Sequence, residues 1–363
     1  MNDMKPFTEV DRRALELVTM SATDASEFKR KRLAKQLNKR FREGKMFYGA
    51  NEDPFYAWHM CEARLLLGDY SNWNGWQFRG TKPPRERKNE LSWAATMALK
   101  REKDGVQRWR GQRAGRLYVY GEQGIGDEIF YGTALRWALT QVDSITLETD
   151  VRLMVPLSRS LGIETVMADV RQQENFRPMG KVEGDAWTLL GDLLVRSGPQ
   201  PKPYLKASED QVKRFAHYKG QVGISWRGNQ GSYKHTDFGR GVSLQYDQGW
   251  DEDVEKPRDN LGNELDLRSD IEGILGLLSN LDKIVTVSTS VAHMAAALGC
   301  DTEVILAPRN GPNSSSFPWK WWNEKTPGRS LWYESVSVYR DLRDYRARHV
   351  GTEPRMGREN RAA

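Results

Sequence analysis

The hydrophobic positions of the chain follow two periods, and the change between them separates a helical part from an α/β part. In residues 8–80, apolar side chains recur at helical spacing, as at Phe28, Leu33 and Leu37. From about residue 113, short apolar runs alternate with helical patterns. Such alternation predicts βαβ units and a parallel sheet.

This alternation occurs twice. In the first set, strands are predicted at 116–120, 144–148 and 163–167, and helices at 127–140 and 150–161. Asp185–Leu190 fits either a strand or the start of a helix, and 208–218 resembles a capped helix. In the second set, strands are predicted at 222–226, 282–287 and 304–307, and helices from Asp270, at 289–299 and at 341–349.

These patterns predict an α/β protein with two Rossmann-like domains that face a cleft, preceded by a helical hairpin region. The first expected region is a helical part (1–80), in which the segment LLLGDY…GW at 65–76 resembles the end of a degenerate tetratricopeptide hairpin. The other expected regions are a basic connector (81–112), a first Rossmann-like domain (113–205), a second one (206–340), and a C-terminal helix with a disordered tail (341–363). Ligands of open α/β folds bind at the carboxyl ends of the strands, so we expect the site in the cleft.

Composition narrows the class of protein. Of 363 residues, 38% are hydrophobic and 29% are charged, and no stretch reaches the roughly 18 apolar residues of a membrane span. The N-terminus lacks a signal-peptide core, so a cytoplasmic location is expected. The two cysteines have no metal-ligand spacing, and neither a bound metal nor a cofactor is predicted.

The formal net charge of +6 is unevenly distributed. Residues 29–45 contain nine Lys or Arg against one Glu, and a second basic tract spans 82–88. These tracts fit a nucleic-acid or other polyanionic partner. A solvated helix face with linkers is the simpler interpretation of the same tracts.

A glycine-rich turn follows the strand-like run Leu117–Tyr120 and precedes a helical pattern. The turn contains three glycines and three carboxylates, namely Gly121, Gly124, Gly126, Glu122, Asp127 and Glu128. Strand, glycine turn and helix indicate a nucleotide-binding α/β unit. Carboxylates at a helix start repel a phosphate that the bare N–H groups would attract. The turn therefore suits a base better than a phosphate.

The second set contains the complementary turn. Ser288, Thr289 and Ser290 follow a strand and open a helix whose first two turns contain no acidic residue. Free N–H groups, hydroxyls and the positive helix end favour a phosphate there, and ordinary N-capping by Ser or Thr explains the same residues equally well. His293 lies on the same face as Thr289, as a ligand contact or as a packing residue.

Two further segments are candidates for substrate contacts. The glycine-rich loop 227–243 carries Arg227, Lys234 and Arg240, which fit either a diphosphate clamp or a basic surface loop. The aromatic-rich segment 319–333 fits either stacking on a base or sugar, or a hydrophobic cluster that holds the C-terminal segment.

Four ordered motifs resemble those of the tetratricopeptide-containing glycosyltransferases related to the heptosyltransferases that act on ADP-heptose and lipopolysaccharide. They are GEQGIGD at 121–127, VGISWRGN at 222–229, VTVSTSVAHMAAALG at 285–299, and the tryptophan-rich segment 319–333. The resemblance covers about residues 60–340. Ser288 stands where the family has Asp, and Arg227 where it has a small residue.

The resemblance implies a GT-B fold and metal-independent, inverting transfer from a nucleotide-diphosphate sugar. It implies that Asp127 is the general base, with Glu122, Gly124 and Gly126 in the acceptor-side loop. On the donor side we place Asn229, Lys234, Arg240, Ser288, Thr289, Ser290 and His293. The basic tracts suggest that the acceptor is a hydroxylated base in viral DNA. A protein or a lipid-linked glycan is the other possible acceptor.

Two other classes stay open. A non-catalytic nucleotide-sugar-binding or scaffold protein with a degenerate transferase fold would explain Ser288. The glycine-rich turn also permits a dinucleotide-dependent oxidoreductase, but Glu122 and Asp127 crowd its phosphate position, and no acidic residue in a ribose-binding context follows.

Overall fold

The computed structural model describes residues 105–121, 124–167, 184–228, 231–246, 256–306, 321, 326 and 328–349. The helical region 1–80, both basic tracts and the tail 350–363 lie outside the described residues. So do Glu122, Asn229, Trp319 and Trp322 of the candidate segments. None of the helices in the described ranges is long and apolar enough to cross a membrane.

The described chain forms two α/β units that follow one another in sequence. The first contains β1 (Gln107–Arg108), β2 (Ala114–Tyr120), α1 (Ile125–Gly132), α2 (Leu135–Ala138), β3 (Val142–Thr149), α3 (Met154–Leu161), β4 (Glu164–Met167), β5 (Ala186–Leu189) and α4 (Leu190–Ser197). A single 3-10 turn, Val151–Leu153, precedes α3.

The second unit follows a short linker and has the same alternation. It contains α5 (Glu209–Arg214), β6 (Val222–Ser225), β7 (Arg227–Gly228), β8 (Gly231–Ser232), β9 (Val242–Ser243), α6 (Ile271–Leu278), β10 (Lys283–Val287), α7 (Ser290–Leu298), β11 (Thr302–Ile305), β12 (Val336–Tyr339) and α8 (Leu342–His349). Two 3-10 turns, Ala216–Tyr218 and His235–Phe238, complete it.

Each unit is built on a parallel sheet whose strand order reverses once. In the described residues, the first sheet has the order β1-β5-β2-β3-β4 and the second β12-β11-β10-β6-β9. Their neighbouring strands pair in parallel. The order therefore reverses between β2 and β5 in one sheet and between β6 and β10 in the other. Ligands of doubly wound folds bind at these two positions.

Local sequence explains where several helices begin and end. The Asp270 carboxylate accepts a bond from the Gly273 amide (2.7 Å) and caps α6. The Ser208 hydroxyl accepts from the Gln211 amide (3.2 Å) and caps α5. Helix α7 ends at Gly299, whose φ of 85° lies in the left-handed region that glycine adopts freely.

The structure confirms the two α/β sets and differs from the prediction in details. The helix expected at 127–140 begins at Ile125 and is interrupted after Gly132. The strand expected at 304–307 is Thr302–Ile305. The end of the expected basic connector holds the edge strand β1, so the first sheet begins at Gln107. A two-residue strand has too few positions to show a period.

Both units contribute to one continuous hydrophobic core, and a short linker joins them. The backbone amides of Tyr204 and Leu205 both donate to the Ala297 carbonyl of α7, at 2.9 and 3.0 Å. The Tyr204 hydroxyl donates to the Ile129 carbonyl of α1 (2.6 Å). The linker thus contacts α1 and α7 together and fixes these helices side by side.

Leu147 tests the core of the first sheet. Its side chain is fully buried on the inner strand β3, so Leu147→Ala should lower the free energy of unfolding by about 2–5 kcal/mol. Val155→Ala, at a position 60% exposed on α3, should change it by less than about 0.5 kcal/mol. Denaturant titration measures both variants, and similar losses would contradict this placement of the core.

Candidate active site at the facing strand ends

The turn after β2 is held in place by a close backbone approach. A Cβ atom on Gly121 would overlap the Glu148 carbonyl oxygen of β3. Only glycine therefore lets the chain leave β2 along this path. Gly124 takes the N-cap position of α1 without a side-chain capping bond, and the Glu128 amide donates to its carbonyl (2.9 Å).

Two of the carboxylates in this turn occupy different surroundings. The Glu128 side chain is 1% exposed and accepts bonds from the Thr149 hydroxyl and from the Asp150 amide (3.1 Å). Asp127 is half-buried, and a Cβ atom on Gly124 would lie 3.4 Å from its Oδ2. Glu128 therefore anchors the helix to β3, whereas Asp127 lies over the start of the helix.

The turn after β10 has the opposite character. Thr289 is the N-cap of α7, its side chain makes no capping bond, and the first turn contains no acidic residue. The capping explanation of this threonine is therefore wrong. The first N–H groups of α7 keep their positive partial charge, which favours an anion.

The two turns meet. A Cβ atom on Gly126 would lie 3.3 Å from the Ser290 Cα atom and 3.4 Å from the His293 Cδ2 atom. The first turn of α1 thus packs directly on the first turn of α7, and glycine permits this approach. The acidic turn and the start of α7, which the sequence assigned to the acceptor side and the donor side, lie next to each other at the two reversal points of the sheets.

The segment after β6 forms a third side of this site. A Cβ atom on Gly228 would lie 3.0 Å from both the Ser288 carbonyl oxygen and the Thr289 Cγ2 atom. The Arg227 amide donates to the buried Gln245 side chain at 2.9 Å. The chain therefore leaves β6 along the edge of the turn 288–290, which we call the anion-favouring turn.

Lys234 and Arg240, expected to hold the diphosphate, lie further along this segment and are both exposed. Neither forms an ion pair with another residue that the structure describes. Their closeness to Thr289 stays a prediction.

His293 and the aromatic segment form a buried cluster between the two units. Trp321, Trp332 and Tyr333 are each 1% exposed, so their packing interpretation is confirmed. The His293 ring stacks on Trp321 with centroids 4.5 Å apart, and its Nδ1 atom lies 3.0 Å from the Tyr333 hydroxyl oxygen. Phe130 of α1 meets the ring of His293 edge-on at 5.5 Å. These contacts favour the packing interpretation of His293 as well.

Ser288 connects this cluster to the anion-favouring turn. The Trp321 indole nitrogen donates to the Ser288 hydroxyl oxygen (2.8 Å). Burial raises the pKa of Tyr333 well above the ordinary value for tyrosine, and the nearby Tyr204 and the negative charge of Asp127 contribute to the rise. The Asp127 carboxylate therefore acts electrostatically on the buried cluster.

Two contributions to the site were missed in the sequence. The first is the structural role of Glu128. From the sequence alone, this buried carboxylate looks the same as a solvent-exposed acid in the first turn of a helix. The contact between Gly126 and Ser290 joins positions far apart in the chain, and no local pattern marks it. A glycine at the second position of a helix, where a side chain is normally tolerated, was the available signal.

Comparisons with known proteins show similarity over part of this chain. No protein-family model matches the chain. Protein FlbA of Caulobacter vibrioides is 26% identical in an alignment of 237 residues that covers 53% of this chain, and the chain spans 40% of FlbA. The structure of Escherichia coli ADP-heptose LPS heptosyltransferase II is 11% identical, with a TM-score of 0.40 over 66% of this chain and all of that one. Escherichia coli heptosyltransferase WaaC with ADP-2-deoxy-2-fluoro heptose is 11% identical, with a TM-score of 0.41 over 65% of this chain and 98% of that one.

Tyr333 provides a pH test of the cluster. Because its pKa is raised on folding, the unfolded tyrosine ionises above about pH 10 while the folded one keeps its proton. Its stabilising contribution is complete below pH 10 and falls above it, by about 1.4 kcal/mol per pH unit. Tyr333→Phe should therefore show a smaller fall of the unfolding free energy between pH 9 and 11 than the wild type.

Denaturant titrations across this range measure the effect. Tyr246→Phe, at a tyrosine 49% exposed to solvent, is the matched control for the loss of one hydroxyl. A Tyr333→Phe variant whose pH slope equals that of the wild type would contradict the burial of this hydroxyl.

Proposed function

We propose that this protein is a glycosyltransferase that moves a sugar from a nucleotide-diphosphate donor to an acceptor hydroxyl. The observation that carries the proposal is the contact between the two helix starts at Gly126 and Ser290. One start presents a carboxylate, and the other presents N–H groups and hydroxyls without an acid. A base next to an anion site is what transfer from a sugar diphosphate needs.

The donor side rests on the start of α7. Its positive helix end, the Thr289 and Ser290 hydroxyls and the backbone N–H groups can bind the diphosphate. As the sugar carbon–oxygen bond breaks, negative charge grows on the leaving diphosphate, and the same groups stabilise it. We propose that this helix start balances the negative charge of the diphosphate, and that Asn229, Lys234 and Arg240 make further contacts with the nucleotide sugar.

The acceptor side rests on Asp127. Its carboxylate takes the proton of the acceptor hydroxyl while the hydroxyl oxygen attacks the anomeric carbon. The new carbon–oxygen bond forms as the bond to the diphosphate breaks, and a single displacement of this kind inverts the configuration. Glu128 is the less suitable base because its carboxylate is 1% exposed and its Oε2 atom already accepts two hydrogen bonds.

Asp127→Asn tests this assignment. The variant should transfer sugar about 10²–10⁴-fold more slowly, because the amide cannot accept the proton. Donor binding should be unchanged, so the thermal shift of the variant with the donor should match that of the wild type. A ligand at 100 times its Kd stabilises the folded protein by about 2.7 kcal/mol, which is large enough to detect. A panel of nucleotide sugars screened on the wild type by thermal shift identifies the donor for this assay.

The matched control is Glu209→Gln, which neutralises an exposed acid in the first turn of α5. It should leave both donor binding and transfer unchanged. Full transfer by Asp127→Asn would remove Asp127 as the base.

We further propose a nucleic acid carrying a hydroxylated base as the acceptor. The basic tracts 29–45 and 82–88 motivate this choice, and the exposed Arg110, Arg113 and Arg116 extend the basic character into the first sheet. A base within a duplex would have to be flipped out to reach Asp127.

The salt dependence of binding tests this acceptor. If six or more phosphates are contacted, the affinity for duplex DNA should fall about 10³-fold or more between 50 and 200 mM salt, because counterions are released. A charge-reversing substitution of Arg113 to Glu should reduce the slope of the salt dependence, whereas Glu209→Gln should not. Salt-independent binding would contradict the proposed acceptor and leave a protein or glycan in its place.

One observation favours a second candidate, a non-catalytic nucleotide-sugar-binding protein. Ser288 accepts a bond from the Trp321 indole, so its hydroxyl has a partner within the protein. Donor binding in thermal shift, with neither hydrolysis nor transfer for any acceptor class, would favour this candidate over the enzyme.

A further inference from the structure

A buried carboxylate next to Asp127 connects α1 to the end of β3. Glu128 accepts bonds from the Thr149 hydroxyl and the Asp150 amide (3.1 Å), and both partners belong to the point where β3 ends. A Cβ atom on Gly121 would lie 3.1 Å from the Glu128 Oε1 atom, so this carboxylate also lies against the end of β2. Glu128 thereby fixes the first turn of α1 against two strand ends.

The same point carries an arginine held in a fixed orientation. The Asp150 carboxylate binds Arg152 through two bonds, from Nε (2.9 Å) and from Nη2 (2.8 Å), and also accepts from the Arg152 amide (3.0 Å). The hydrogen bonding of the Arg152 side chain to the Asp150 carboxylate is the main cause of the raised pKa of Arg152, and the negative charge of Glu128 adds to it. Two-point binding of a planar guanidinium fixes its direction as well as its distance.

The remaining arm of Arg152 reaches the second unit. Its Nη1 atom donates to the Arg268 carbonyl oxygen (2.9 Å), in the segment that leads into α6. That segment is itself fixed, because the Asp266 carboxylate accepts from the amides of Arg268 (2.9 Å) and Ser269 (3.1 Å). The guanidinium thus joins the main chain of one unit to the Asp150 carboxylate of the other, and the amide of the same Asp150 binds Glu128 of α1.

We propose that Arg152 is a positioning residue that sets the place of Asp127 relative to the donor site on α7. Helix α1 begins between two constraints, with α7 on one side at Gly126 and the Glu128–Asp150 anchor on the other. Arg152 links Asp150, whose amide binds Glu128, to the unit that carries the anion-favouring turn. The inference rests on the proposed function, because it assigns Arg152 a part in that same reaction.

The chain offers a matched control in Arg159 on α3. Its Nη1 atom pairs with the Glu272 Oε1 atom of α6 (2.8 Å), and its Nη2 atom donates to the Lys206 carbonyl oxygen (2.9 Å). Arg159 therefore joins the same two units with similar bonds, but none of these partners is part of the anchor of α1. A general loss of contact between the units affects both arginines, whereas positioning of Asp127 involves Arg152.

The test compares Arg152→Ala with Arg159→Ala in the full chain by two measurements. The first is hydrogen exchange of the segment 124–132, whose Glu128 amide bonds the Gly124 carbonyl. Arg152→Ala should speed this exchange about tenfold, because local opening of α1 becomes easier. The second is transfer kinetics, where kcat should fall about tenfold or more with the donor KM within about twofold, since misplacement of a reacting group lowers the rate of the chemical step.

Arg159→Ala should leave both measurements at the wild-type value. Equal effects of the two substitutions, or unchanged exchange in Arg152→Ala, would overturn the proposal. Thr149→Val, which removes one donor to Glu128, should reproduce the effect of Arg152→Ala, and the double variant should lose less than the product of the two single effects. If the wild-type protein transfers no sugar, the proposed function fails, and the exchange measurement still decides whether Arg152 orders α1.

Discussion

The close approach of two helix starts is the constraint on which the site depends. Gly126 lets the first turn of α1 lie against Ser290, and a side chain there would press on the backbone of α7. Two helix N-termini bring two positive partial charges together, which is unfavourable unless something balances them. Asp127 and Glu128 supply negative charge within the first turn of α1, and the first turn of α7 has none. One helix start is thus compensated by its own residues, while the other has no acidic residue in its first turn.

The rest of the fold maintains this arrangement. Tyr204 in the linker bonds both helices, and the buried aromatic cluster around Phe130 and Tyr333 fills the space behind them. Each sheet reverses its strand order at the strand that leads into one of these turns. The polar groups therefore meet at the carboxyl ends of the strands, which is where open α/β folds bind their ligands.

The sequence predicted the elements of the site better than their contacts. The apolar run before Gly121 and the short hydroxyl-rich turn at Thr289 carry local signals of strand, turn and helix start, and the structure confirms these elements. The aromatic segment allowed two interpretations, and burial of Trp321 and Tyr333 decides for packing. Contacts across the two units have no local signal, because Gly126 and Ser290 are set together by the folding of the whole chain.

The most direct test of this account is a titration with a nucleoside diphosphate, followed by the amide resonances of both helix starts. Preferential binding at the start of α7 should shift the amides of Ser290 and Val291 strongly. The amides of Ile125 and Gly126 should shift less, because the carboxylates of α1 repel the diphosphate. Larger shifts in α1 than in α7, or binding that leaves both helix starts unchanged, would contradict the division into an acid-bearing turn and an anion-binding turn.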